Sequence, residues 1–286
     1  MTANGITIEY EEQGDGEPLL LVLGLSGQLI DWPAGFVDEL VGRGFRVIRF
    51  DNRDIGLSTE FTAVPPTTGQ LAAALLARRT LPAEYRISDM AADATGLLDA
   101  LGIDRAHIAG MSMGGMIAQA MAIEHGARVR SLTSIMSTTG SRRVGQPKIS
   151  LVRRFARRPV PTRETAVEQA LETFQAISGP TYDPREARDL IEASLARSFR
   201  PAGVARQTAA IIASPDRTRG LRGVDAPALV IHGLDDPLVR LTGGIATAAA
   251  IPKSRLLVFN DMGHDLPRTR WTEMADAIAQ NAARAA

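Results

Sequence analysis

The sequence predicts an α/β fold in which a doubly wound, mostly parallel sheet carries an inserted helical cap. Two observations point to the sheet: six continuous apolar runs without polar alternation, and helix patterns between them. A third observation points to the cap. From about Thr139 to Arg219 the sequence stays helix-like and no buried-strand run appears. Strands buried on both faces and alternating with helices imply right-handed βαβ units. The core is therefore expected in residues 1–138 and 220–286 and the cap in 139–219. A chain of 286 residues, 45% hydrophobic and 22% charged, is long enough for one large core with one insertion.

The elements follow in order. "GITIEYEEQGDGEP" alternates apolar and polar residues and then meets turn formers, which suggests an edge hairpin. The apolar runs are "LLLVLG" (19–24), "FRVIRFD" (45–51), "AHIAGM" (106–111), "LTSIMS" (132–137), "ALVIHG" (228–233) and "RLLVFN" (255–260). Helix patterns occupy "FVDELVGRG", "ISDMAADATGLLDALG", "MIAQAMAIEH" and the final "WTEMADAIAQNAARAA". Ser88 is the expected N-cap of the second helix and Gly102 its stop. An irregular insert from Thr62 to Tyr85 is expected beside the cap. Both inserts would lie outside the carboxyl ends of the strands, where open α/β sheets bind ligands.

Composition excludes several function classes. Lys+Arg 32 against Asp+Glu 32 leaves no net field to draw nucleic acid or an anionic membrane, so a small-molecule partner is expected. The absence of cysteine removes disulfides, thiolate nucleophiles and Cys-ligated zinc. The run "LLLVLGL" is too short to span a bilayer and no basic start precedes a long apolar core, so a cytoplasmic protein without stable membrane insertion is expected. The sequence leaves the oligomeric state open.

The chemistry centres on "GMSMGG" (110–115), where Ser112 follows an apolar run and opens a helix. A sharp strand-to-helix turn of this kind exposes a hydroxyl, and its glycines let neighbouring elements approach closely. A serine needs a base, usually a histidine oriented by a carboxylate. His264 in "NDMGHDLP" follows the last apolar run, and Asp235 and Asp236 in "IHGLDDPLV" follow the one before. The order Ser, Asp, His, each just past the end of an apolar run, is that of a nucleophile, an orienting acid and a base. An oxyanion hole needs two backbone N–H donors. Met113 after the nucleophile supplies one, and Leu25 in "GLSGQLIDW" is the candidate for the other.

With these residues in place the chain resembles the α/β-hydrolase superfamily of serine hydrolases. The stretches that carry the likeness are "LLLVLGLSGQLIDWP", "VIRFDNRDIGLST", "ISDMAADATGLLDALGI", "HIAGMSMGGMIAQAMAIEH", "LVIHGLDDPLV" and "MGHDLP", nearly the whole core. Among subgroups it is most similar to the methylesterases of anthracycline polyketide maturation, in its oxyanion strand and its "RDIGLST" turn. The resemblance implies cleavage of a carboxylic ester of a small or medium-sized, largely apolar substrate, with no cofactor and no metal. It also implies a triad of Ser112, Asp236 and His264, the family spacing favouring Asp236 over Asp235. One feature departs from the family: many members carry His-Gly at the end of the oxyanion strand, where this chain has Leu23-Gly24. The cap matches no recognised motif, so no substrate identity is carried over.

The same triad also serves cofactor-free perhydrolysis (haloperoxidase activity) and C–C bond hydrolysis beside a ketone, and pocket rather than sequence motif separates these. A non-catalytic ligand-binding hydrolase fold is the reading from another class, and it predicts binding without turnover. Epoxide hydrolases and haloalkane dehalogenases resemble this fold with an aspartate at the elbow, whereas here it is Ser112.

Other residues have plainer readings. His232 is expected to be structural with a backbone partner, and His107 and His125 to be surface or capping residues. Asp265 is too close to His264 to orient it. Asp51, Arg53 and Asp54 in "FDNRDIGLS" read as a structural turn with Arg53 paired to a carboxylate. Trp32 and Met111 are candidates for the substrate pocket, and packing alone would also explain Trp32. Residues 142–163 hold Arg142, Arg143, Lys148, Arg153, Arg154, Arg157, Arg158 and Arg163 with no acidic residue, and a solvated helix is preferred there over an anion-binding or membrane-binding one.

Overall fold

A computed structural model describes residues 1–285. Its strands are β1 (Thr2–Ala3), β2 (Ile6–Thr7), β3 (Tyr10–Gln13), β4 (Glu17–Val22), β5 (Phe45–Phe50), β6 (Ala106–Met111), β7 (Val129–Ile135), β8 (Ala228–Gly233) and β9 (Ser254–Phe259). The first two form a small hairpin whose turn, Asn4-Gly5, has positive φ at both residues, as a two-residue turn matching strand twist requires. The other seven form one sheet in the order β3-β5-β4-β6-β7-β8-β9, parallel except for β3. The fold is the doubly wound, mostly parallel one that the apolar runs predict.

Two expectations about the strands need correction. The edge hairpin does not form, because β5 lies between β3 and β4. Strand β4 is apolar enough to take a place with neighbours on both sides, and β3 pairs outside β5, where Glu11 and Glu12 meet Arg49 and Arg46 at 2.9 and 2.5 Å. The last run, β9, is not buried on both faces. It is the opposite edge of the sheet, and Leu256 and Val258 are about two-fifths exposed (40% and 39%).

The helices are α1 (Ala34–Val41), α2 (Thr68–Ala77), α3 (Ile87–Ala100), α4 (Met113–Glu124), α5 (Ile149–Ala156), α6 (Ala166–Ile177), α7 (Pro184–Arg197), α8 (Pro201–Ala213), α9 (Thr218–Leu221), α10 (Thr242–Ala250) and α11 (Trp271–Ala283). Alternation along β4 decides the two faces. Leu20 and Val22 pack with α3 and α4, while Leu19, Leu21 and Leu23 pack with α1 and α11. Helix α3 starts two residues earlier than Ser88 would set it. Its cap is Arg86, whose N–H donates to Asp89 Oδ2 at 2.7 Å, and the Ile87 N–H is taken by Ser214 Oγ at 2.9 Å, so Ser88 is left inside the first turn. Gly102 does end it, at φ 68, with Ile103 N–H donating to Leu98 O.

Among the described residues only helices lie between β7 and β8, namely α5 to α9, and α2 of the irregular insert packs against α5 and α8. No described helix is long and apolar enough to cross a membrane. The chain moves from β4 to β5 on one side and back to β6 on the other. That reversal opens a crevice beyond the carboxyl ends of β4 and β6.

Candidate active site

Ser112 stands at that crevice, one residue past β6 and one before α4. It holds φ 57 and ψ −118, a conformation that costs an L-residue about 1 to 3 kcal/mol and persists only where neighbours enforce it. The neighbours are close. Ser112 N–H donates to Ile135 O at 2.9 Å, and Ser137 Oγ donates to Ser112 O at 2.8 Å. A Cβ on Gly110 would lie 2.1 Å from Gly114 O, and one on Gly114 would lie 2.0 Å from Val22 O. Both positions therefore need glycine for strand, turn and helix to fit.

The structure brings the three predicted side chains together. His264 Nε2 is 2.9 Å from Ser112 Oγ, and His264 Nδ1 is 2.7 Å from Asp236 Oδ2. With a carboxylate facing Nδ1, that nitrogen carries the proton, and Nε2 is left to accept from the serine hydroxyl. Asp236 is 3% exposed, and its other oxygen accepts N–H donors from Leu238 and Val239 at 2.9 and 2.8 Å. Asp235 points to solvent. Of the two adjacent aspartates, Asp236 is the buried one and the one that meets His264.

Asp265 and His232 surround this chain without joining it. The Asp265 carboxylate accepts from Gly263 N–H at 2.9 Å and Gly179 N–H at 3.0 Å, while His264 N–H donates to Ile177 O at 2.7 Å. The histidine loop is thereby fastened to the end of α6. Burial pushes the Asp265 carboxyl above the usual range. His232 is fully buried, donates from Nε2 to Val239 O at 2.7 Å, and is held below its ordinary pKa by burial. It lies 3.7 Å from Asp236 Oδ2 as a neutral ring.

Gly24, at the end of β4, lies against the serine: a Cβ there would be 3.1 Å from Ser112 Cβ. The backbone N–H groups of Leu25 and Met113 donate to no acceptor among the described residues. Met113 opens α4, so its amide adds the helix N-terminal partial charge. An arrangement of two unengaged amides beside a hydroxyl, an imidazole and a buried carboxylate can stabilise an oxyanion formed on a carbonyl that the hydroxyl attacks.

Other predicted residues fall elsewhere. Trp32 is 1% exposed and stacked on Phe36 with ring centroids 5.9 Å apart, so it fills the core and presents almost no surface as a pocket wall. Met111 ends β6 beside the serine, partly buried against the same core cluster. His107 is buried rather than on the surface. It meets Ser131 Oγ at 2.8 Å, and burial, with Arg105 adding to it, lowers its pKa to about 4. His125 closes α4. In the basic stretch Leu151 and Val152 are buried, Arg153 and Arg157 are exposed, and Arg158 pairs with Glu172 at 2.5 Å. Among the described residues no group of three or more His, Asp or Glu side chains gathers as metal ligands would.

The turn at 51–58 holds the site's unforeseen partners. Arg53 pairs with Asp93 through two bonds of 2.6 and 2.7 Å, as a buried structural arginine would. Asp54 forms a second two-pronged pair with Arg206 of α8, at 2.9 and 2.7 Å, and also accepts from Tyr85 Oη at 2.6 Å. Asp51 Oδ2 meets Arg197 of α7 at 2.7 Å, while its Oδ1 accepts from Leu29 N–H at 2.7 Å. Sequence reasoning missed Arg197, Arg206 and Gln207. One signal was present: Arg206-Gln207 is a polar pair in the otherwise small and apolar helix "PAGVARQTAAIIA".

Comparison with known proteins agrees with this geometry. A family model described as an alpha/beta hydrolase fold matches residues 17–267. A rhodomycin D methylesterase, DauP of Streptomyces sp. (strain C5), is 28% identical over 306 residues, covering 97% of this chain and 95% of its own. A 2-hydroxy-6-oxononadienedioate/2-hydroxy-6-oxononatrienedioate hydrolase of Paraburkholderia phymatum is 31% identical over 267 residues, covering 91% and 85%. Among solved structures the enol-lactonase from Burkholderia xenovorans superposes with a TM-score of 0.71 at 24% identity, covering 99% of this chain and 97% of that one.

Proposed function

The chain belongs to the α/β-hydrolase fold family, and from that premise we propose that it is a serine hydrolase cleaving a carboxylic ester through an acyl-enzyme on Ser112. The observation that carries the reading is the continuous chain from Ser112 Oγ through His264 to Asp236, at 2.9 and 2.7 Å. Ser112 Oγ attacks the ester carbonyl while His264 Nε2 takes its proton, and Asp236 steadies the imidazolium. The Leu25 and Met113 amides receive the oxyanion. His264 then protonates the departing alcohol; it next takes a proton from water as hydroxide adds to the acyl carbonyl, and it returns that proton to Ser112 Oγ as the acid is released. The substrate is small or medium-sized and largely apolar, and residues 139–219 cap it. Support for an ester comes from the methylesterase relative, which matches almost end to end.

The test is steady-state hydrolysis of p-nitrophenyl acetate, butyrate and octanoate. Wild type is expected to turn over, and Ser112→Ala to lose about 10⁴-fold or more in kcat with an unchanged melting temperature. Turnover retained by the variant would remove Ser112 from the mechanism. A second reading, C–C bond hydrolysis, has its own observation in the 31% identical relative. It predicts that a coloured 2-hydroxy-6-oxodienoate is bleached faster than any ester is cleaved.

A further inference from the structure

The oxyanion strand ends in Leu23-Gly24 rather than His-Gly, which raises the question of what holds the loop that follows. Gly24 to Gly27 form a turn closed by Gly27 N–H donating to Gly24 O at 3.2 Å. Its third residue, Ser26, sits at φ 66, where such a turn favours glycine or asparagine. A serine there does not fix the turn by local preference, so the shape has to be imposed from outside.

Gln207 of α8 imposes it. Its Oε1 accepts from Ser26 N–H at 3.1 Å across 181 positions of sequence, and its Nε2 donates to Arg53 O at 2.8 Å. The side chain is 0% exposed, and both partners are backbone groups of turns next to the site. Its neighbour Arg206 anchors the same helix to Asp54. The Leu25 amide precedes the Ser26 amide by one residue. Fixing the plane of the Leu25–Ser26 peptide fixes ψ of Leu25 and restrains the direction of the Leu25 N–H.

We propose that Gln207 is the positioning residue of the oxyanion loop, acting from the helical segment through Ser26 to hold the Leu25 N–H toward Ser112. The proposal rests on the serine-ester reading, since an oxyanion donor has work to do only there. A carboxamide is what the position requires, because it accepts at one end and donates at the other. An apolar side chain of the same length removes the partner of the Ser26 N–H and leaves Arg53 O without its donor in the interior.

The experiment compares wild type, Gln207→Met and Gln207→Glu on p-nitrophenyl butyrate, with active sites counted by a fluorophosphonate probe. Wild-type turnover decides the underlying reading first; if wild type cleaves no ester and takes up no probe, the proposal falls with that reading. Gln207→Met is expected to lower kcat per titrated site by about 10- to 100-fold with KM within about threefold. Affinity for a trifluoromethyl ketone, whose serine adduct carries an oxyanion, should fall by a similar factor. A role in folding alone would reduce the titrated fraction and the melting temperature but leave kcat per site unchanged, and that result overturns the proposal. Should Gln207→Met not fold, Gln207→Glu still discriminates. Both forms of the carboxyl can accept from Ser26 N–H, but a carboxylate cannot donate to Arg53 O and is repelled by it, which draws the acceptor away from Ser26, so the ratio of variant to wild-type kcat should fall as pH rises. A flat ratio overturns the proposal.

Discussion

The sheet and the helical segment between β7 and β8 reach the same crevice by different bonding. Ser112, Asp236 and His264 stand one, three and five residues past the ends of β6, β8 and β9, so main-chain ladders place them. The helical segment reaches the crevice through side chains: Arg197 to Asp51, Arg206 to Asp54, Gln207 to Ser26, with Gly179 donating to Asp265. Ladders repeat at a fixed period and tolerate many side chains. Side-chain ties each depend on a single residue, and most of these are buried. The two regions should accordingly fail in different ways, the first through chemistry and the second through stability and alignment.

The largest effect tests the first half of that contrast. Asp236→Asn leaves the loop in place but favours the wrong tautomer of His264, and is expected to lower kcat by about 10⁴-fold. Asp235→Asn, at an exposed neighbour, should stay within about threefold in the same ester assay. Equal losses in both would show that the loop's shape rather than the carboxylate matters, and would break the comparison. The next effect tests the second half. Arg206→Met strands Asp54 in the interior, and breaking one member of a buried pair costs about 3 to 5 kcal/mol. Denaturant unfolding should show that loss, with a smaller proportional change in kcat per folded molecule. A variant as stable as wild type would mean that α8 is not tied down at Asp54.

The contrast also explains what could be read from the sequence. The runs that became β4 to β8 were visible because strands covered on both faces have no polar alternation, Ser112 and the Asp235-Asp236 pair were visible because they follow two of those runs, and His264 because it follows the run that became β9. The edge elements were misread for the same reason. A run cannot say how many neighbours it will have, so "RLLVFN" looked buried and β3 looked like the partner of β4. The choice of Asp236 came from a family resemblance, and geometry supplies its physical reason, a buried oxygen 2.7 Å from His264 Nδ1. The partners of Arg197, Arg206 and Gln207 were illegible because they lie 146, 152 and 181 positions away and no period links them. Trp32 was legible as a large apolar side chain with two readings, pocket wall or packing, and its 1% exposure favours packing.

The smallest effect concerns the junction itself. Asp31, in the loop after β4, has its carboxyl pushed up to about 6 by burial; the Gln28 amide and the Ser194 hydroxyl pull the other way, Asp51 repels it and Arg197 attracts it. In the unfolded chain the group titrates near its ordinary value of about 3.9. Between these values the folded state binds a proton that the unfolded state does not, so the contribution of Asp31 to stability is greatest below about pH 4 and is lost as pH rises through 6. Two pKa units correspond to at most about 3 kcal/mol above pH 7. Asp31→Asn cannot ionise, and it should therefore be more stable than wild type at pH 8 by up to that amount, with the gap closing as pH falls to 4. Denaturant midpoints at pH 8, 6 and 4 measure this. A gap that does not change with pH would mean that water reaches Asp31 beside α7. The junction between the sheet's loops and the helical segment would then be wet, and the stability that side-chain ties lend it would be correspondingly less.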